Sequence, residues 1–303
     1  MGKQSRNTGL DPEKDYAQIV RNLATYDFPW DLTQALSFAL FRTFAVPSIG
    51  GLLDRTSAFG GTTQKRYDDT ALLLEVPLLD GFDSLSGRAA IRRINQMHHM
   101  HDISNDDMVY VLATFVVVPK RWIDRFGWRA LTEPEVLAAV RYYQELGRHL
   151  GIKQIPATYA AFERLMDDYE AAHFAFDPGA RRVAVATLDL MASFYPRPLR
   201  RAVLLFSRAL MDEPLISAFR LREPGRLARR IAVLGLRLRA RFVALMPRRR
   251  KPFLVRDMPR IKTYPDGFVV EQMGTFAPGC PVHQRAAEPQ TPMTDHDETG
   301  ASA

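Results

Sequence analysis

The chain has 303 residues, 47% of them apolar and 25% charged, which suits a globular protein with one large core or two small ones. Its single cysteine, Cys280, excludes a disulfide framework and cysteine-rich zinc or iron–sulfur sites. The net charge of +7 is local: ten Arg/Lys and no acid fall between Arg226 and Lys251.

Residues 1–12 are polar, lack the apolar segment of a signal peptide, and read as a flexible tail. A cytoplasmic protein is the expectation. From 13 to 279 the chain reads as one helical domain. Asp31–Phe44 carries Leu32, Leu36, Phe38 and Leu40 after an acidic start, and Thr63–Val76 carries Tyr67, Thr70, Ala71 and Leu74 at helical spacing. Ser84–His101 opens on a capping serine. Asn105–Val118 follows Ser104 and is expected to stop at Pro119. Thr132-Glu133-Pro134-Glu135 forms a capping-box signal for a helix running to about Leu150. Helices are also expected from Thr158 to about Phe174, and over Ala180–Phe194, Arg197–Met211 and Pro224–Leu245. Only Phe253–Met273, with the turn Tyr264-Pro265-Asp266-Gly267, reads as strand-like or extended. Residues 280–303 are small, polar and Pro-punctuated, and read as a disordered tail. The fold class is all-α, and no segment approaches the ~18 apolar residues of a spanning helix.

Three of the seven histidines lie within four positions, in Met97-His98-His99-Met100-His101. At helical spacing His98 and His101 share a face with Ile94, while His99 points elsewhere. A buried neutral imidazole is a good ligand for iron, zinc or copper, but a hydrogen-bonded core histidine fits the same pattern. Arg66 and Thr70 lie four apart on one helix face. A guanidinium beside a hydroxyl suits a carboxylate, a propionate or dioxygen; a surface arginine pairing with Asp69 is the plainer alternative.

The order of these segments is informative. Arg66-x-x-x-Thr70 precedes Arg93-x-x-x-Met97-His98, then Asn105-Asp106-Asp107-Met108-Val109-Tyr110, then Phe126-Gly127-Trp128-Arg129. Leu146-Gly147-Arg148-His149-Leu150-Gly151-Ile152 and Ile155-Pro156 follow. Over roughly residues 35 to 245 this resembles the haem-dependent oxygenase family of rubber oxygenase and mpaB. The resemblance implies a globin-like helical core holding haem b, with His98 as the iron's protein ligand. It places Arg66 on a haem propionate or distal group and Thr70 on the distal side. It also implies dioxygen and an apolar, isoprenoid- or lipid-like substrate whose C=C bond is cleaved. Two departures stand out. Asp69 occupies the place of a lysine preceding the distal threonine, and Pro47-Ser48-Ile49-Gly50-Gly51 offers no glutamate base. Asp54, Asp68 and Asp69 are the remaining candidates for that role.

Rival readings rest on less. Glu170-x-x-His173 is one half of a di-iron motif without its second half. His101-Asp102 is a dipeptide of metal-dependent phosphohydrolases, but no histidine precedes His98. The basic stretch 226–251 fits a solvated helix face, peripheral contact with an anionic membrane, or nucleic acid. Nothing else resembles a nucleic-acid module, so no nucleic-acid partner is expected. A membrane-surface protein without enzymatic activity is the last rival. No Gly-x-Ser-x-Gly elbow or Gly-rich nucleotide loop is present. His101 is a weaker ligand candidate; His99, His149 and His173 read as structural.

Overall fold

A computed structural model describes residues 5–56 and 63–276, and every described element is helical or irregular. Cys280 and the tail expected over 280–303 lie outside the described residues. The helices are α1 (Tyr16–Asn22), α2 (Pro29–Phe44), α3 (Pro47–Thr56), α4 (Thr63–Asp80), α5 (Leu85–His98), α6 (Asn105–Phe126), α7 (Glu133–His149), α8 (Tyr159–His173), α9 (Pro178–Ser193), α10 (Arg200–Leu210), α11 (Glu213–Ala218) and α12 (Arg226–Leu245). The all-α expectation holds.

Many boundaries follow from local chemistry. The Ser84 hydroxyl accepts from Gly87 N at 2.8 Å and the Ser104 hydroxyl from Asp107 N at 3.0 Å, so both serines satisfy otherwise orphaned amides. Glu135 reaches back to accept from Thr132 N at 2.9 Å. Pro119 was expected to stop α6, yet the helix runs through it to Phe126. Proline costs a helix one hydrogen bond, and here the buried Trp122, Ile123 and Phe126 hold the last two turns against the core. Pro77 lies inside α4 in the same way.

α2 and α6 form the centre and pack most extensively on each other. Phe38, Phe41, Tyr110, Val117 and Ile123 are buried there, and Phe38 stacks on Trp122 at 5.4 Å. Around this pair, α1 lies on α7, α8 on α6, α3 on α9, and α10 on α12. α3 and α11 carry no strong periodic signal in the sequence, and the short α1 runs into a π turn over Leu23–Asp27. α3 contains Gly50 and Gly51, residues that weaken a helix signal. A side chain at Gly50 would collide with Phe44 O and Ala180, so glycine is what permits the close α3–α9 approach.

The expected N-terminal tail is docked from Ser5 onward. Ser5 Oγ donates to Glu135 at 2.6 Å, Asn7 Nδ2 donates to the same carboxylate at 3.0 Å, and Asn7 is buried. The segment 253–276 has no strand. It is an extended strap with single 3-10 turns at Val255–Asp257 and Val270–Gln272, laid over α4 and α5.

No single described helix is long and apolar enough to cross a membrane. The bent pair α2–α3 passes by length and composition, but the apolar side chains of α2 fill the protein core.

Candidate functional site

α4 and α5 are joined by a four-residue turn and pack on each other as an antiparallel hairpin. Leu72, Leu73 and Val76 of α4 meet Ala90 and Ile94 of α5, and Met273 of the strap closes the cluster. Arg66 lies fifteen residues before the turn glycine Gly81, and His98 seventeen after it. The hairpin therefore brings Arg66, Thr70 and His98 to the same open end.

The strap is fastened here by buried charge. Asp68 accepts from the backbone N–H groups of Lys262 at 3.1 Å and Thr263 at 2.9 Å, and from the Thr263 hydroxyl at 2.6 Å. Asp69 pairs with Lys65 at 2.6 Å and accepts from the Tyr264 hydroxyl. Glu75 accepts from Val255 N and from Arg256 Nε at 3.0 Å. On α5 the buried Arg93 donates to Met273 O at 2.6 Å and to Thr275 O, and lies over the Phe276 ring at 3.8 Å. Gly274 passes close against Met97, with a φ of +79° where a side chain would strike the Met97 sulfur.

His98 ends α5. Its Nδ1 is buried with no hydrogen-bond partner. Leaving such a nitrogen unpaired costs roughly 1–3 kcal/mol, and every such group requires a reason. Burial pushes the imidazole pKa below its usual value, helped by the neighbouring His99 and His101, so the ring is held in its neutral, ligating form. His101 departs from expectation. The helix stops at His98, His101 lies in the turn beyond, and the two rings do not continue one helical face.

Arg66 is an exposed residue of α4. Desolvation by the surrounding protein lowers its pKa, and the Asp69 carboxylate partly opposes that. Thr70 is half-buried one turn along. Arg66, Thr70 and Leu74 follow at i, i+4 and i+8 on one face. Leu74, with Ala71 and Leu78, walls an apolar cavity of ≈ 140 Å³. Phe115 and Ile123 of α6, Tyr142 and Tyr143 of α7, and Phe253 of the strap line it too, and Glu75 and Lys120 add charge to its wall. Arg66, Thr70 and His98 do not themselves line this cavity.

The three candidate bases have other partners. Asp68 and Asp69 hold the strap, and Asp54 pairs with Arg182 at 3.0 Å, a hydrogen bond that lowers its pKa. His149 stacks on Phe82 at 5.1 Å and meets Glu145 at 3.2 Å. His99 is exposed beside an open depression. In Glu170-x-x-His173 the carboxylate is buried against Arg42 and the Tyr110 hydroxyl, while His173 is exposed and stacks on Tyr169 at 4.0 Å. Among the described residues, no three His, Cys, Asp or Glu converge as a metal-ligand set. Neither Glu170-x-x-His173 nor His101-Asp102 gains a further ligand among the described residues. The docking of the strap and the apolar cavity were not visible in the sequence, although the Tyr264–Gly267 turn marked the segment that supplies part of the strap.

The profile of the family described as "ER-bound oxygenase mpaB/B'/Rubber oxygenase, catalytic domain" matches residues 26–245. The chain belongs to that family. ER-bound oxygenase mpaB' of Penicillium brevicompactum is 30% identical over 225 residues, covering 68% of this chain and 53% of the relative. ER-bound oxygenase mpaB of the same organism is 31% identical over 217 residues, covering 65% of this chain and 55% of the relative. The chain thus spans about half the length of these two curated relatives. The solved structure of latex clearing protein in its closed state matches with a TM-score of 0.57 at 17% identity, covering 78% of this chain and 68% of that one. That likeness extends the family's shared helical fold to this chain. It matches the relationship read from Arg66, Thr70, Met97-His98 and the segments after them.

Proposed function

We propose that this protein is a haem b-dependent oxygenase that uses dioxygen to cleave a C=C bond of an apolar, isoprenoid- or lipid-like substrate. The observation that carries the proposal is the neutral His98 imidazole with its unpartnered buried nitrogen, at the hairpin end that also holds Arg66 and Thr70, in a chain of an oxygenase family. These residues fit the cofactor. His98 would be the iron's ligand, and the Arg66 guanidinium suits a propionate carboxylate. When bound, haem supplies the activation of dioxygen, and the cleavage balances as one alkene and one O₂ giving two carbonyl groups.

This chain's own residues then bind, orient and exclude water. The Thr70 hydroxyl would offer a hydrogen bond to dioxygen or to a water. The largely apolar walls continuing from Leu74 suit a hydrocarbon substrate. With Asp54, Asp68 and Asp69 engaged elsewhere, none of these three carboxylates serves as the base. The relatives' names give them as ER-bound, and peripheral attachment to a membrane belongs to the same proposal for this chain.

The test is an absorbance spectrum of the purified protein supplied with haem, before and after dithionite and carbon monoxide. A Soret band that shifts on reduction and again on carbon monoxide is expected. A protein that takes up no haem from a stoichiometric titration would overturn the proposal.

A further inference from the structure

α12 has two apolar faces. Ala232, Leu236 and Ala240 are buried on the side that packs on α10 and α6. On the opposite side Leu227, Ile231, Leu234, Leu238, Phe242 and Leu245 are all exposed, from 61% at Ile231 to 86% at Leu245. At helical spacing these six fall within an arc of about 80° and run about 27 Å along the axis. Arg226, Arg230, Arg237 and Arg241 are also exposed, and they line one edge of the stripe as a row. Arg248, Arg249, Arg250 and Lys251 extend the positive charge past its end. Two further arginines secure the helix from inside: Arg229 donates to Met211 O at 2.6 Å, and Arg239 pairs with the buried Asp31 at 2.9 Å and lies over Trp30 at 3.8 Å. The inner face and these ties hold α12 in place without the outer stripe.

We propose that the outer face of α12 docks the protein on the surface of an anionic lipid bilayer. The inference deepens the peripheral-membrane part of the function proposed above and is independent of haem. Large aliphatic and aromatic side chains in one continuous stripe suit the boundary between headgroups and acyl chains. A flanking arginine row suits anionic headgroups, towards which its long side chains can extend. A second copy of the same surface is a poorer partner. Between 226 and 251 it offers ten cations and no carboxylate to receive the opposing arginines.

Vesicle co-sedimentation of the full chain tests this, with phosphatidylcholine vesicles alone or with roughly one-third phosphatidylserine. The protein is expected to pellet at least tenfold more with the anionic vesicles, and less as salt is raised. Leu234→Glu with Leu238→Glu should abolish pelleting, and Arg237→Glu with Arg241→Glu should remove the preference for phosphatidylserine. All four side chains are exposed, so thermal midpoints should match the parent chain. The proposal is overturned if the parent chain stays in the supernatant with anionic vesicles, or if neither variant changes its pelleting. It is equally overturned if size exclusion shows a dimer that Leu238→Glu dissociates. None of these readouts depends on a Soret band, so this inference and the oxygenase reading fail separately.

Discussion

Glu135 at the start of α7 and His98 at the end of α5 are both polar groups drawn into the protein, and the fold treats them in opposite ways. The Glu135 carboxylate pairs with Arg129 at 2.7 Å and also receives Ser5, Asn7 and the Thr132 amide. Its pKa falls to about 2: burial opposes the charge, but hydrogen bonds from Arg129, Ser5 and Thr132 outweigh it. His98 Nδ1 has no partner, and its pKa falls because burial disfavours the imidazolium. One group is complete without any ligand and serves the fold. The other has no polar partner within the fold, and the proposed haem ligation rests on that nitrogen.

The sharpest way to break this contrast is at His98. His98→Ala should abolish the Soret band in a haem titration while the apoprotein stays folded. Full haem retention in that variant would remove His98 from the site. Next in size is Glu135→Ala, which leaves part-buried Arg129 with Asp27 as its remaining carboxylate and removes the acceptor of Ser5 and Asn7; urea denaturation should read a loss of about 3 kcal/mol, the lower end of the cost of breaking a buried pair. An unchanged midpoint would mean the network contributes little.

Acid should separate the two groups. A histidine with a depressed folded pKa binds more protons when unfolded. Its effect on stability is therefore absent above the ordinary histidine value of 6.5, and stability declines as pH falls below it. Glu135 acts lower: its stabilisation is whole above 4.5 and disappears as pH falls through about 2. His98→Ala should flatten only the upper phase of stability against pH and Glu135→Ala only the lower, and a single shared phase would contradict the assignment. The smallest effect is expected at Thr70. Thr70→Ala should keep its haem and lose about tenfold in oxygen-dependent turnover, the equivalent of ~1.4 kcal/mol for one hydrogen bond. Unchanged turnover would make Thr70 a packing residue.

Helix starts were legible at Ser84, Ser104, Thr158 and Glu135, where a side chain settles them locally, because a cap needs only its own next few amides; the Asp212 cap of α11 went unread because that helix is too short to show a period. Pro119 misled because its penalty is local while the burial that offsets it, at Trp122, Ile123 and Phe126, comes from α2 and the core. Asp68 and Asp69 show the same limit. Their sequence position suggested chemistry, and only the folded chain brings the strap, nearly two hundred residues away, to receive them.

By itself the sequence determined the helical class, most helix starts, the His98 candidate and the resemblance to its family, since these depend on periodicity, caps and motif order along the chain. The tertiary structure alone decided that His98 Nδ1 is buried without a partner, that Arg66 and Thr70 share its end of the hairpin, and that the candidate carboxylates are structural. It also decided which face of α12 is left uncovered. Burial and pairing are properties of what surrounds a side chain in space, and in this protein those neighbours come from segments remote in sequence.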